Sequence, residues 1–205
     1  MPKTHKRRSY RSGWHKRLRL RLRRFHLTFT NVGVFVVILA IIFAWWFRTH
    51  PFQAEAYPVQ GPPTVSADFI NQVLDHYHSP AANKGQALYD DGVKYGIDPV
   101  YALAFFLHES SFGTTGVATV THSLGNIRAT AGYRQYEGYR LYPTWEAGFE
   151  DWYKLIAEQY VAQWKLVTID QIIPVYAPST ENDVDTYIQT VKHAVDTWRS
   201  GTIEV

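Results

Sequence analysis

One acidic residue, Glu109, stands where a proton-transfer group would be useful. The segment from Asp98 to Gly113 predicts an apolar helix, because aspartate is a good N-cap, Pro99 suits the first helical position and glycine supplies a stop. Apolar neighbours at the end of such a helix would remove water from Glu109. Desolvation raises a carboxyl pKa, as a general acid for glycosidic cleavage requires near neutral pH. The alternative is a glutamate that only caps the helix or faces water.

Other catalytic chemistries find less support in the sequence. His108-Glu109 begins the zinc-binding pattern His-Glu-x-x-His, but Phe112 occupies the position of the second histidine. The nine histidines show no other dense ligand pattern, and a glycine-rich phosphate loop is absent. Cysteine is also absent, which excludes a cysteine nucleophile and disulfides. We therefore expect no metal and no cofactor.

Residues that begin and end helices predict the elements that position Glu109 within residues 65–205. Capping residues and apolar periodicity predict six helices. They are Ser66 to about His78, Ala82 to Tyr95, the helix that begins at Pro99, Trp145 to about Trp164 after a cap at Thr144, Thr168 to Ile173 with a stop at Pro174, and Asn182 to Arg199. Only the stretch from Asn126 to Tyr142 differs, and Glu137-Gly138 within it predicts a hairpin turn. The predicted fold is mainly α, with a small β-hairpin lobe.

The charges divide the chain into two parts. Eleven of the 21 Lys and Arg residues lie in residues 1–24, and all 18 Asp and Glu residues lie at Glu55 or later. Between them, residues 25–47 contain no Asp, Glu, Lys or Arg, and the run from Val32 to Phe47 is almost entirely apolar. At about 1.5 Å per helical residue, this stretch reaches the roughly 30 Å of a hydrocarbon core. It predicts one transmembrane helix.

The positive-inside rule gives this span an orientation. We expect a basic cytoplasmic tail at 1–24, a transmembrane helix at 25–47, a linker at 48–64 and an extracellular domain at 65–205, so that the protein is a single-pass membrane protein. The tail is expected to contact anionic lipid rather than nucleic acid. The alternative is a cleaved signal peptide, because Ala54-Glu55-Ala56 fits a signal-peptidase site.

Five short segments, taken in order, carry a resemblance to a known family. They are Ile97-Asp-Pro-x-x-Ala-Leu-Ala, His108-Glu-Ser-Ser-Phe-Gly113, Leu124-Gly-Asn-Ile-Arg128, Tyr142-Pro-Thr-Trp-Glu-Ala-Gly-Phe149 and Tyr176-Ala-Pro-Ser-Thr-Glu-Asn-Asp-Val-Asp-Thr-Tyr187. Together they resemble the glucosaminidase family of bacterial cell-wall hydrolases, the mannosyl-glycoprotein endo-beta-N-acetylglucosaminidase-like domains of glycoside hydrolase family 73. The resemblance covers residues 69–198 and implies a lysozyme-like fold.

The resemblance also implies an activity and a set of site residues. The activity is hydrolysis of β-1,4 glycosidic bonds after N-acetylglucosamine in the glycan strands of peptidoglycan, with Glu109 as the general acid. The family's residues near the cleft would correspond to Asn126, Tyr142 and Tyr176, which we expect to bind substrate. An amide can donate to and accept from an acetamido group, and tyrosine combines a stacking face with a hydroxyl. Each of these residues could instead serve only the turn or the packing.

A second catalytic acid is harder to place. Many family members have one in the β excursion, where Glu137 is the nearest candidate in this sequence, although a residue at a hairpin tip can be a turn residue only. Glu146, Glu150 and Asp151 are weaker candidates, because acids in the first turns of a helix already favour the helix dipole. Without a second acid, the substrate's N-acetyl group could be the nucleophile, so the inverting, retaining and assisted routes stay open.

Two further functions are compatible with these residues. A lytic transglycosylase needs only one glutamate and leaves an anhydro end on the glycan. A lysozyme-like module could also bind the cell wall without cleaving it. An acid retained in an apolar helix favours an enzyme over a binding module, and the glucosaminidase is the function that the sequence predicts.

Overall fold

The computed structural model describes residues 36, 38–42, 57–180 and 182–205. Contacts divide the chain into two units, residues 1–53 and 54–205. Within the described residues, no helix combines the length and the apolar character needed to cross a membrane. The predicted basic tail, most of the predicted span at 25–47 and the Ala54-Glu55-Ala56 alternative lie outside the described residues.

The second unit is mainly helical and contains one antiparallel hairpin, which confirms the fold class predicted for this region. Its elements are α1 (Ala67–His76), α2 (Gly85–Tyr95), α3 (Pro99–Ser110), α4 (Ala118–Thr121), β1 (Gln135–Tyr136), β2 (Tyr139–Arg140), α5 (Trp145–Lys154), a π-helical segment (Leu155–Gln163), α6 (Ile169–Tyr176) and α7 (Val184–Arg199). The four-residue helix α4 was not predicted.

Helix α3 forms the centre of the core. Its residues 99–106 are all buried, as expected for a helix that is apolar on every side. It packs against α2 and α7, and α2 packs in turn against α1 and α5. Phe105 and Phe106 meet the ring of Trp152 edge-on, with centroids 5.4 and 5.3 Å away. The end of α3, which carries Glu109, is thereby held in a fixed place.

Asp98 caps α3 as predicted and also connects distant parts of the chain. Its Oδ1 accepts the Val100 N–H at 3.2 Å and the Thr64 N–H at 3.0 Å. Its Oδ2 accepts from Arg199 of α7 at 3.1 Å. The carboxylate is buried, so these donors compensate for the water that it has lost.

The last part of the predicted linker, residues 57–64, belongs to the domain in the structure. Residues 57–64 pack against the domain, and the side chains of Tyr57 and Val59 are buried in its core. Pro58 and Gln60 form isolated antiparallel bridges with Thr168 and Ile97. Burial of these two apolar side chains explains why this stretch joins the domain.

Two predicted helix ends are wrong. Helix α3 ends at Ser110 rather than Gly113, because Ser111 and Phe112 adopt left-handed conformations (φ 46° and 55°) that turn Phe112 into the core. Helix α6 continues through Pro174 to Tyr176. Ile172 and Ile173 of α6 are fully buried, and this packing keeps the helix going past a residue that usually ends one.

The predicted helix from Trp145 to Trp164 exists but changes its winding. It is α-helical to Lys154 and π-helical from Leu155 to Gln163. Such π-helical turns occur frequently at functional sites. This segment faces the cleft described below.

The predicted hairpin turn is confirmed at Glu137-Gly138. Both residues have positive φ, 48° and 83°, which is the geometry of a two-residue type I′ turn and explains the glycine. Gln135 pairs with Arg140, and Tyr136 pairs with Tyr139. The hairpin also joins the preceding loop, because Ala129 N–H donates to the Gly138 carbonyl at 2.8 Å.

Candidate active site

A cleft of about 610 Å³ opens beside the end of α3. Its walls come from α3, residues 126–130, β2, the π-helical segment, α6, Ala177, Pro178 and Asn182. Three of the predicted site residues line it together, namely Glu109, Asn126 and Tyr176. A cleft of this volume lies within the usual range for small-molecule sites.

Glu109 lies in the last turn of α3 with its carboxyl group largely withdrawn from water. Burial raises its pKa to about 7. A hydrogen bond from Tyr187, the contact with Asn126 and the charge of Arg128 oppose this rise without cancelling it. The Tyr187 hydroxyl donates to Glu109 Oε1 at 2.7 Å. A large share of the Glu109 side chains therefore carries a proton at neutral pH.

The low polarity around Glu109 comes from an aromatic cluster. Phe105 meets Tyr176 with ring centroids 5.3 Å apart and meets Tyr187 with centroids 5.7 Å apart. Tyr160 from the π-helical segment lies 6.1 Å from Tyr176. Four separate helical elements thus supply rings to this cluster, although their residues are far apart in the sequence.

Asn126 fixes the end of α3 and presents an acceptor. Its Nδ2 donates to the backbone carbonyl of Glu109 at 2.7 Å. Its Oδ1 is buried and has no hydrogen-bond partner among the described residues. Because an unpaired buried acceptor is costly, this oxygen is suited to a donor supplied by a ligand.

Tyr176 stabilises the loop that carries Asn126. Its hydroxyl donates a short hydrogen bond to the carbonyl of Gly125. A Cβ at Gly125 would lie 2.5 Å from the Trp152 side chain and 2.9 Å from the Tyr176 hydroxyl, so this close packing requires glycine. Burial raises the pKa of Tyr176 well above its ordinary value, which keeps the hydroxyl protonated as a donor.

Tyr142 is placed differently from what the sequence predicted, because it is not among the described residues that line this cleft. Its hydroxyl donates to Asp151 Oδ2 at 2.5 Å. The same carboxylate accepts from Arg140 at 2.7 Å and from Tyr133 at 3.1 Å. Burial, together with Asp151, raises the pKa of Tyr142. These hydrogen bonds join the hairpin lobe, residues 126–142, to Asp151 of α5. Tyr142 therefore has a structural role here.

The candidates for a second acid do not line the cleft in the described part of the chain. Glu137 is exposed at the hairpin tip. Glu146 and Glu150 form ion pairs with Lys84 and Lys94 at 2.5 and 2.6 Å. Glu109 is thus the only acidic side chain among the described residues of the cleft wall. The catalytic role of Glu137 stays a prediction.

The sequence interpretation missed Tyr187 as a partner of Glu109. The two residues are 78 positions apart, and no local pattern joins them. The ring of His108 stacks on Tyr187, with centroids 3.6 Å apart and planes 20° apart. Burial lowers the pKa of His108. Among the described residues, no group of three or more His, Cys, Asp or Glu could hold a metal ion.

The comparison with protein families decides the class of this site. A family model described as mannosyl-glycoprotein endo-beta-N-acetylglucosaminidase matches residues 85–200. The chain belongs to this glucosaminidase family. It is therefore a glycoside hydrolase of the endo-beta-N-acetylglucosaminidase type. The matched range includes the end of α3, β2, the π-helical segment and α6, which supply walls of the cleft.

Solved structures support the glucosaminidase fold. The structure of S. aureus autolysin E is 13% identical, with a TM-score of 0.53 and coverage of 72% of this chain and 72% of that chain. A catalytic glutamate-to-alanine mutant of autolysin E in complex with the disaccharide NAG-NAM is also 13% identical, with a TM-score of 0.50 and coverage of 72% and 75%. A search of curated proteins found no match.

Proposed function

We propose that this glucosaminidase domain cleaves β-1,4 glycosidic bonds after N-acetylglucosamine in peptidoglycan, with Glu109 as the general acid. One observation carries the proposal: a carboxyl group with a pKa of about 7 lies in a cleft of sugar-binding size. One structural relative is a catalytic glutamate mutant of autolysin E in complex with NAG-NAM, and it supports the same substrate class. Family membership supports the reaction type.

The hydrogen bonds of Glu109 define how it would deliver its proton. Because Tyr187 donates to Oε1, the acidic proton belongs on Oε2. Transfer of this proton to the glycosidic oxygen would let the leaving sugar depart as an alcohol. Asn126 Oδ1 is available to accept the N–H of an acetamido group, which would place N-acetylglucosamine beside the acid.

The single acid in the described cleft wall favours a substrate-assisted route. The acetamido oxygen of the substrate would attack the anomeric carbon while Glu109 protonates the leaving oxygen. Water would then open the resulting ring, and its proton would return to the Glu109 carboxylate. This sequence needs no second carboxylate and leaves the acid in its starting state. A catalytic role for Glu137 would require that substitution of this residue lowers turnover.

The single acid in the described cleft wall also supports a second candidate function, that of a lytic transglycosylase. That reaction also needs one acid, but a hydroxyl group of the substrate attacks the anomeric carbon in place of water. The two reactions leave different ends on the glycan. Hydrolysis after N-acetylglucosamine leaves a reducing N-acetylglucosamine, whereas transglycosylation leaves an anhydro sugar.

Mass spectrometry of the products distinguishes these reactions. Purified peptidoglycan is incubated with the full-length chain, and the released muropeptides are analysed before and after borohydride reduction. We expect reducible N-acetylglucosamine ends. Anhydro ends would identify a transglycosylase, and reducible muramic acid ends would move the cut to the other bond. Binding to peptidoglycan without any released ends would identify a binding module.

We also propose that residues 25–47 anchor the protein in the cell membrane, with the hydrolase domain outside. The proposal rests on the charge-free apolar run and on the basic residues at 1–24 that precede it. An anchored hydrolase would act on the glycan strands within reach of its membrane. A test of this topology is given in the Discussion.

A further inference from the structure

A second cavity, of about 340 Å³, lies between α2, the hairpin lobe and α5. Three tyrosines, Ala147, Glu150, Asp151 and Lys154 line it, and its described wall shares no residue with that of the cleft. The two are neighbours, because Arg140 lines the cleft, Asp151 lines the second cavity and their ion pair is 2.7 Å long. The volume lies at the lower end of the range for small-molecule sites.

The ring of Tyr133 gives this cavity a fixed aromatic surface. The Arg140 guanidinium lies over one face of the ring, 3.9 Å from its centroid. The Tyr133 hydroxyl donates to Asp151 Oδ1 at 3.1 Å. The residue nevertheless stays 41% exposed, so part of the ring is open to a ligand. A side chain held in this way loses little freedom when a ligand stacks on it.

Two charged side chains of α5 add hydrogen-bonding groups to the same cavity. The Glu150 carboxylate accepts from Lys94 at 2.6 Å and from Tyr95 at 3.3 Å, both at Oε1. No described residue donates to its Oε2, so this oxygen can accept from a ligand hydroxyl. Lys154 is exposed one turn further along the helix, and its ammonium can donate to a ligand oxygen. The cavity therefore combines an aromatic face with an acceptor and a donor.

This combination suits a sugar residue. A pyranose ring has an apolar face of C–H groups that can stack on an aromatic ring, and its hydroxyl groups both donate and accept hydrogen bonds. We propose that the second cavity binds a sugar residue of a peptidoglycan glycan strand outside the cleft and so holds the polymer on the domain. The inference rests on the proposed function and adds a non-catalytic contact with the same substrate.

Tyr133→Leu tests this second site through the length of the substrate. Full-length wild type and variant are compared by kcat and KM for new reducing ends on three substrates: a soluble tetrasaccharide, long glycan strands stripped of peptides by an amidase, and long strands with their peptides. A contact outside the cleft adds binding only for strands long enough to reach it. We expect KM to rise by about 3- to 10-fold on both kinds of long strand, with kcat and the tetrasaccharide kinetics within about twofold of wild type.

Two further variants separate the ring from its other contacts. Tyr133→Phe keeps the aromatic face and loses only the hydrogen bond to Asp151, so its KM on long strands should stay near that of wild type. Tyr136→Leu is the matched control, because Tyr136 is a tyrosine of the hairpin with a similar exposure, 39%, and is absent from the described walls of both cavities. It should behave as wild type on all three substrates.

Three results for Tyr133→Leu would overturn the inference. The first is an unchanged KM on long strands, the second is an equal rise on the tetrasaccharide, and the third is an equal rise in Tyr133→Phe, which would assign the effect to the hydrogen bond with Asp151. A rise confined to strands that carry their peptides would also refute the sugar as the ligand and assign the cavity to the peptide.

Absence of new reducing ends from every substrate would instead refute the proposed function. Sedimentation of the full-length proteins with insoluble peptidoglycan would then test the cavity separately. Weaker binding by Tyr133→Leu than by Tyr133→Phe and Tyr136→Leu supports the second site, and equal binding by all three variants refutes it.

Discussion

Glu109 and Tyr187 form the central pair of the site at the scale of single residues. The aromatic neighbours withdraw water and favour the neutral carboxyl, while the Tyr187 hydroxyl favours the ionised one. The first effect is larger, so the pKa settles near 7 rather than near the 4.5 of a free glutamate. This balance gives the enzyme an acid that can both lose and regain a proton at neutral pH.

Tyr187→Phe tests this balance through the pH profile. Glu109 acts as an acid in its protonated form, so wild-type turnover should fall as the pH rises through about 7. Loss of the Tyr187 hydroxyl removes a donor to the carboxylate, raises the pKa of Glu109 and moves the alkaline limb upward by roughly 0.5 to 1 pH unit. The measurement is kcat/KM on peptidoglycan from pH 5 to 9.

Tyr153→Phe is the matched control for that profile. Tyr153 is buried on α5, and its hydroxyl has no hydrogen-bond partner among the described residues. Its removal should leave the alkaline limb where it is in wild type. An unshifted limb in Tyr187→Phe, or an equal shift in both variants, would contradict the role assigned to Tyr187.

Glu137→Gln decides the second acid. The exposed position of Glu137 at the turn, away from the described cleft wall, predicts turnover within about twofold of wild type, because a group that does not meet the transition state contributes nothing to it. Turnover and binding to insoluble peptidoglycan are measured together. A loss of turnover of about 10-fold or more with unchanged binding would restore the catalytic role that the sequence suggested.

At the scale of elements, local signals predicted several helix starts, although α2 begins at Gly85 rather than at the predicted Ala82. Ser66, Asp98, Thr144 and the turn at Glu137-Gly138 act within a few residues of themselves, and the structure has each of them as predicted. The passage of α6 through Pro174 depends on packing between distant segments. The partnership of Glu109 with Tyr187 depends on it too. No window of sequence contains those contacts, so they could not be predicted.

The hairpin lobe is attached to α5 by a buried ion pair. The side chains of Arg140 and Asp151 are 8% and 14% exposed. Asp151→Asn would leave the Arg140 charge without its counter-charge, and we expect the free energy of unfolding to fall by about 2–3 kcal/mol. Urea unfolding at pH 7 measures the change.

Glu150→Gln provides the comparison for Asp151→Asn. Glu150 pairs with Lys94 at the surface, where both side chains are about half exposed. Water and salt screen such a pair, so its loss should change the unfolding midpoint little. Equal effects of the two substitutions would contradict the attachment of the lobe through Asp151.

At the scale of the whole molecule, the sequence predicts that residues 25–47 anchor the chain in the membrane with its domain outside. The described residues do not test this topology. Protease added to intact spheroplasts should digest the domain and spare the basic tail, and the full-length chain should stay with membranes after a carbonate wash. The expectation follows from the apolar run at 25–47 and its basic flank. A soluble form that begins at Tyr57 would show instead that Ala54-Glu55-Ala56 is cleaved.

The central claim, that Glu109 is the general acid of a peptidoglycan glucosaminidase, is tested most directly by one pair of rates. Wild type and Glu109→Gln are compared for the release of reducing N-acetylglucosamine ends from purified peptidoglycan at pH 6, with folding checked by circular dichroism. The amide keeps the shape of the carboxyl but has no proton to deliver, so we predict a loss of about 10²-fold or more. A folded Glu109→Gln protein with near wild-type rates would contradict the claim.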